Sequence, residues 1–423
     1  MIVDGDRLWS RLQALARIGA VAEADGGGIV RPAYGTAHAE AVALVAGWMQ
    51  EAGLEVGLDA TGNLIGLWPG TDPQAPAIGI GSHLDTVPHG GAFDGALGVL
   101  AALEAVDAMA KRGERLRRTV AVLGFADEEG NNFGIGVLSA QLWIGEIPPE
   151  RYGEVRDREG RGLDAYLAAF EVPGVPRVQR PVLDAYLEAH VEQGPVLESE
   201  GRPAAAVEGI VGISRTTVRF TGQANHGGTT PMHLRRDASW GAAELALAVR
   251  DLARASDGRA VATVGVFEVG PGATNVVPGN ALLRVEMRSP DEGRLTAMRA
   301  AVEAEAAACA ERHGLEVALE AWHHAPAVPM EARLLGATRQ ALLDAGLEPY
   351  VMPSWAGHDA KVLARRMPVG MVFVPSAGGI SHAPNEHTEP RDCATAAELL
   401  YHAARRVDEA LGAPAPAAPE ATP

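Results

Sequence analysis

Hydrophobic positions along the chain switch between two periods. Residues 36–52 repeat at helical spacing, with Val42, Val45, Trp48 and Met49 on one face, Thr36 as a cap and Gly53 as a stop. Short apolar runs of β type follow at 54–58, 63–68 and 76–82. A Gly/Ala/Leu-rich stretch over 95–112 returns to helical character, and 119–125 reads as another strand. This alternation predicts an α/β domain with a mainly parallel, buried sheet. Functional side chains of such sheets gather beyond the carboxyl ends of the strands. His83 directly follows one run and the acids 127–129 follow another, so both are expected on one edge.

From about 208 the order changes. A strand at 213–221 precedes a helix near 237–255, strands near 261–269 and 280–287, a helix near 291–313 and a strand near 315–321. That β-α-β-β-α-β order is the ferredoxin-like split arrangement. Alternation resumes with helix 331–345, a helix from about 358, strand 369–374 and helix 391–410. The pattern predicts one discontinuous α/β domain, residues 1–208 and 325–411, around an inserted α+β domain at 209–324. Residues 412–423, rich in Ala and Pro, read as a disordered tail. No repeat of solenoid period occurs.

Composition narrows the partners. The 423 residues suggest two or three domains, and 36 Lys+Arg against 54 Asp+Glu give a formal charge of −18 with no basic tract. Phosphate backbones and anionic lipid repel such a surface, so neither nucleic acid nor membrane is the expected partner. No signal peptide or apolar run long enough to span a bilayer is visible. Two cysteines, Cys309 and Cys393, make neither a disulfide framework nor a four-Cys zinc site, and a reducing cytoplasm is the simplest setting.

Candidate chemistry comes as a set: Gly81-Ser-His83-Leu-Asp85, Gly90-Gly-Ala-Phe-Asp94-Gly, Phe125-Ala-Asp127-Glu128-Glu129-Gly, Glu188-Ala-His190-Val-Glu192-Gln193-Gly, and Gly378-Gly-Ile-Ser-His382. A lone His-x-Asp is usually polar pairing and a Glu-Glu pair a solvated face. Several such fragments, each at a strand end or loop, are hard to produce by chance. Imidazole and carboxylate donors suit zinc, manganese, cobalt or nickel, and a carboxylate can bridge two metals. Amide hydrolysis needs a nucleophile stronger than water, and a divalent metal lowers the pKa of water towards about 7. A free carboxylate beside it can take the proton and pass it to the leaving nitrogen, so Glu128 and Glu129 can divide base and ligand roles. Asp85, two residues from His83, can hold its imidazole NH. His38, His313, His323 and His402 keep ordinary roles. No Gly-x-Ser-x-Gly elbow or full dinucleotide fingerprint occurs.

The set resembles the M20-type binuclear metallohydrolases, and within them the hydantoinase/carbamoylase group of N-carbamoyl-L-amino-acid hydrolases, β-ureidopropionases and allantoate amidohydrolases. The motifs Ala189-His190-Val-Glu192-Gln193-Gly-Pro-Val-Leu-Glu, Asn225-His226-Gly-Gly-Thr-Thr-Pro-Met and Ala356-Gly-His358-Asp359-Ala carry the likeness, which runs from about residue 8 to 410. The expected fold is α/β: a discontinuous, mixed-sheet catalytic domain with an inserted ferredoxin-like lid and dimerisation domain. The resemblance implies two divalent metal ions per subunit (Zn, Mn, Co or Ni). His83, Asp94 and His190 would hold one, and Asp94 would bridge to a second completed by Glu129 and His382. It implies Glu128 as general base and acid, and His226 at the developing oxyanion, across a homodimer. Gln193, Asn275 and Arg288 match substrate-binding positions, and Asp85 stands behind His83. His358 and Asp359 sit beside the site in the family, although an Asp near a helix start is commonly a cap.

The expected reaction is hydrolysis of a linear C–N bond in an N-carbamoyl-L-amino acid or related ureido acid. Allantoate hydrolysis, dipeptidase or acyl-amino-acid deacylase activity, and a non-catalytic metal-binding dimer are the alternatives. Asn131 and Asn132 stand where relatives more often have a Ser-Arg type pair. Trp355 replaces a small residue, and Ala383 replaces a common Ser. These departures bear on substrate identity rather than on the metal donors.

Overall fold

Strand Ala77–His83 is buried at every position, as a strand covered on both faces must be. The computed structural model describes residues 1–412. Ala77–His83 lies between Val120–Phe125 and Leu183–Val191, parallel to both, and Val369–Val374 continues the parallel set beyond Leu183–Val191. Both flanks run antiparallel. Leu64–Trp68 pairs with Val120–Phe125 and then with Glu55–Leu58, while Ala205–Ile210 pairs with Val369–Val374. The sheet is therefore mixed, and only its centre is parallel. For Glu55–Leu58 and Leu64–Trp68 the reason lies in the connection: the short turn after Leu58 permits an antiparallel hairpin alone. Asp59 closes that turn by accepting the backbone NH of Thr61 at 2.8 Å and of Asn63 at 2.9 Å.

Helix Thr36–Glu51 buries Val42, Val45 and Met49, with Trp48 half-buried. Thr36 is its first helical residue; Gly35 occupies the cap position and makes no side-chain bond. Helix Ala96–Lys111 is buried almost throughout and packs against Pro390–Gly412, which also contacts Ala332–Asp344. Helix Gly5–Leu15 and strands Leu183–Val191 and Ala205–Ile210 are additions to the expected elements. The last helix is described as far as Gly412, the first residue of the expected tail, and residues 413–423 lie outside the described residues.

The chain divides into two compact units. The first comprises Met1–Glu208, Met330–Met352 and the described residues from Ala356 onward; the second comprises Gly209–Pro329 and Pro353–Trp355. In the second, an antiparallel sheet has the order Glu316–Leu319, Gly212–Thr221, Asn280–Ser289, Val261–Gly270. Along Asn280–Ser289 burial alternates: Ala281, Leu283, Val285 and Met287 join the core while Arg284 is exposed. Helices Ala238–Arg254 and Glu292–His313 contribute Leu245, Val249, Leu295 and Val302 to that core. Asp237 and Asp291 cap their first turns by accepting backbone NH groups. The second unit also takes in residues 325–329, where Val328 and Pro329 pair with Ile210 and Gly209.

Candidate active site

Three neighbouring parallel strands end on one edge of the first unit. His83 closes Ala77–His83 in register with Phe125, Glu128 and Glu129 follow Val120–Phe125, and His190 stands one residue before the end of Leu183–Val191. Asp94 lies just before helix Ala96–Lys111, and His382 in the loop after Val369–Val374. Together these residues line a cavity of about 280 Å³, with Gln193, Gly136, Val137, Ala356 and Gly357.

Asp94 sits at the centre, and its two oxygens face different partners. Oδ1 is 3.2 Å from Nε2 of both His83 and His190. Oδ2 is 3.2 Å from Nε2 of His382 and accepts from Gln193 Nε2 at 2.7 Å and Ser381 Oγ at 3.0 Å. Glu129 Oε1 stands 3.6 Å from His382 Nε2. The other ring nitrogens are engaged: His83 Nδ1 meets Asp85 O at 3.1 Å and Asp85 Oδ1 at 3.3 Å, and His190 Nδ1 donates to Val191 O at 2.9 Å. With Nδ1 donating, a neutral ring would turn the lone pair of its Nε2 toward a cation. Asp85 also accepts the backbone NH groups of Glu128 at 3.2 Å and Glu129 at 3.1 Å, so one carboxylate orients the imidazole and the paired acids.

Charge is concentrated here. Burial pushes the carboxyls of Asp127, Glu128, Glu188 and Asp359 above their ordinary range, and burial with Asp94 nearby raises Glu129 to about 7. Asp94 is itself fully desolvated, yet His190, His382 and His83 hold it well below the usual carboxylate range. The hydrogen bond to Asp94 raises His382 to about 9. Both oxygens of Asp359 are buried with no hydrogen-bond partner. So many carboxylates out of water need compensating positive charge. The donors answer that need. His83, Asp94 and His190 form one group with ligand atoms within 4.8 Å of one another, and Asp94, Glu129 and His382 form another that shares Asp94. Nitrogen and oxygen donors in these sets fit zinc-like or manganese-like cations.

The remaining sequence-derived candidates divide between the units. Gln193, at a left-handed φ of 60°, points its amide nitrogen at Asp94 and leaves Oε1 buried without a partner. His226, Asn275 and Arg288 belong to the second unit. There, Asn225–His226 pairs with Val276–Val277, and Gly227 N donates to Asn275 O at 2.7 Å. His226 Nδ1 accepts backbone NH groups from Gly228 at 3.0 Å and Thr229 at 3.1 Å, which leaves the ring proton on exposed Nε2. Arg288 bonds Glu286 Oε1 through Nε at 2.7 Å and Trp355 O through Nη1 at 2.6 Å.

Four features were weighed differently from sequence. Asn131 and Asn132 donate to Thr86 O at 3.0 Å and Ala33 O at 2.7 Å, so both act as braces between loops. Asp359 is not a cap: His358 holds the cap position of Asp359–Leu363, and Asp359 is the first helical residue. His358 is buried with its ring 4.6 Å from that of His190. Glu386 was missed. It accepts the backbone NH groups of Phe93 and Asp94, each at 2.9 Å, and its only sequence signal is its place four residues after His382.

Two histidine–carboxylate groups on one α/β sheet edge are candidates for a metal centre of hydrolase type. The model of peptidase family M20/M25/M40 matches residues 79–406, and the chain belongs to this family. It is 37% identical over 405 residues to an N-carbamoyl-L-amino acid amidohydrolase of Geobacillus stearothermophilus, covering 95% of this chain and 98% of the relative. It is 34% identical to an allantoate amidohydrolase of Escherichia coli (strain K12), covering 89% and 93%. Among solved structures, an amidase of the hydantoinase/carbamoylase family from Burkholderia multivorans superposes with a TM-score of 0.89 at 34% identity, covering 95% and 97%.

Proposed function

We propose that the protein is a metal-dependent amidohydrolase that cleaves the linear C–N bond of an N-carbamoyl-L-amino acid, releasing the amino acid, ammonia and carbon dioxide. The observation that carries this reading is the division of Asp94 between two histidine groups, with Glu128 beside them in the same cavity. In it, His83, Asp94 and His190 hold one divalent cation and Asp94, Glu129 and His382 a second. Cations held there would supply Lewis-acid polarisation of the carbamoyl oxygen and a lowered pKa for water at neutral pH.

The chain's own residues do the rest. Glu128, held in place by Asp85 through its backbone NH, takes the proton of the attacking water and returns it to the leaving nitrogen. Gln193 Oε1, buried and unpartnered, accepts from a ureido NH. His226 offers the donor Nε2–H to the developing oxyanion. Of the five NH groups of Arg288, three are directed to Glu286 and Trp355; the two left on the terminal nitrogens match a substrate carboxylate bidentately, with Asn275 as a second contact. The second unit, residues 209–324 with its flanks, serves as lid and homodimerisation module. Two buried free thiols suit a cytoplasmic enzyme.

Allantoate is the second substrate to test, because the Escherichia coli relative bears that activity in its name. Ammonia release is to be measured from N-carbamoyl-L-amino acids and allantoate, and amino-acid release from a dipeptide, with and without added Mn²⁺. The proposal expects cation-dependent turnover of the carbamoyl compounds above the other two. Faster turnover of the dipeptide would reverse it, and faster turnover of allantoate would move the assignment within the group.

A further inference from the structure

Glu386 is a buried carboxylate outside the donor set, 5% exposed, at the junction of the two loops that carry Asp94 and His382. Its Oε1 accepts two consecutive backbone NH groups, Phe93 and Asp94, both at 2.9 Å. Its Oε2 lies 2.8 Å from Ser381 Oγ, which is also 3.0 Å from Asp94 Oδ2. Two NH groups on one oxygen of a carboxylate form a charge-assisted clamp that fixes the Asp94 backbone. Through Ser381 the same side chain reaches the outer oxygen of Asp94 and the residue preceding His382.

The backbone here needs such a hold. His382 has a φ of 55°, a left-handed conformation costly for a residue with a Cβ, which persists only when its surroundings over-determine it. Its side chain is 49% exposed, so packing does not supply the constraint. The sequence has also been kept open for the clamp. Gly91, in the loop leading to Asp94, sits where any Cβ would collide with the Glu386 side chain.

We infer that Glu386 is a positioning residue that sets the Asp94–Glu129–His382 cation site by clamping both loops at once, with Ser381 as its link to Asp94 Oδ2. The inference rests on the two-cation reading above. The carboxylate has no direct place among the donors. It fixes where Asp94 Oδ2 and His382 Nε2 stand relative to one another. Outer partners of this kind typically carry about 10- to 100-fold of metal affinity.

The test is competition between the full-length protein and a chromophoric chelator for Zn²⁺, read as the number and affinity of bound equivalents. Wild type is compared with Glu386→Ala, Glu386→Gln, Ser381→Ala and His382→Ala. Wild type should hold two equivalents and His382→Ala one. Glu386→Ala should weaken the second equivalent by about 10- to 100-fold and leave the first nearly unchanged. Ser381→Ala should weaken the same equivalent by less. Glu386→Gln should stay close to wild type, since its amide oxygen accepts from Phe93 and Asp94 while its nitrogen donates to Ser381 Oγ. If Glu386→Ala does not fold, Ser381→Ala and Glu386→Gln decide. Wild-type binding by Ser381→Ala, or by Glu386→Ala beside a His382→Ala that has lost one equivalent, overturns the positioning role. Two undiminished equivalents in His382→Ala overturn the assignment of that site, and the positioning role with it.

Discussion

A carboxylate whose two oxygens face different imidazoles constrains everything near it, and this shapes what each residue around Asp94 can do. Glu128 shares a group with His83 and Glu129, so proximity alone would allow it to be a donor. Its backbone bond to Asp85 and a carboxyl raised by desolvation suit a proton carrier instead. Glu128→Gln should lower kcat by about 10²–10⁴-fold, the usual worth of a positioned acid–base group, with metal content unchanged by elemental analysis. A loss of bound metal would make Glu128 a donor. His38 shows the opposite use of an imidazole. It is fully buried, its Nδ1 accepts the Tyr34 NH at 3.1 Å, and its ring stacks on Phe170. Burial lowers its pKa to about 4, so between 4 and 6.5 the unfolded chain binds the proton that the folded chain refuses. Stability from this group is complete above pH 6.5 and is lost as the pH falls towards 4. Denaturant titrations should show wild type losing about 2 kcal/mol more than His38→Gln between pH 7 and pH 5. Equal losses would show that the ring is not held neutral.

At the level of elements, the strands explain which parts of the site were legible. His83 and the acids 127–129 were placed on one edge because each follows an apolar run, and parallel pairing with His83 opposite Phe125 brings them there. Leu183–Val191 escaped the same logic because Glu188 and His190, the residues that matter, interrupt its apolar pattern while lying fully buried. The hairpin of Glu55–Leu58 and Leu64–Trp68 is illegible for another reason: its pairing depends on the turn held by Asp59, a contact that periodicity does not encode. Glu386 was hidden likewise, since its function is to accept from the backbone of a loop nearly three hundred residues away in sequence. The start of helix Ala96–Lys111 carries its own prediction. Gly95 has a φ of 65°, and a Cβ there would run into the His83 ring. Gly95→Ala should therefore cost about 1–3 kcal/mol of stability and also weaken cation binding, because the backbone strain and the displaced imidazole arise from one methyl group. Calorimetry beside metal titration checks both; lost stability with intact binding would separate strain from the site.

Over the whole molecule, the −18 charge is carried by a chain whose acids are not all on its surface. Part of that excess is the buried set around Asp94, Glu128, Glu188 and Asp359, which the sequence total could not separate from solvated Asp and Glu. All four groups of potential metal donors among the described residues are in the first unit. The second unit has its own core, built from Phe220, Leu245, Leu283 and Val302, and its helices are capped from within. Metal removal should therefore act on one unit. A cation that binds only the folded state, at 100 times its Kd, stabilises by about 2.7 kcal/mol, or roughly 5 °C for a unit of this size. Scanning calorimetry with a chelator should lower the transition of the first unit by that order and leave that of the second in place. Readdition of Mn²⁺ should restore it. A chelator shift shared equally by both transitions would mean that the second unit's stability depends on the metal centre, while no shift at all would remove the cations from the buried carboxylates.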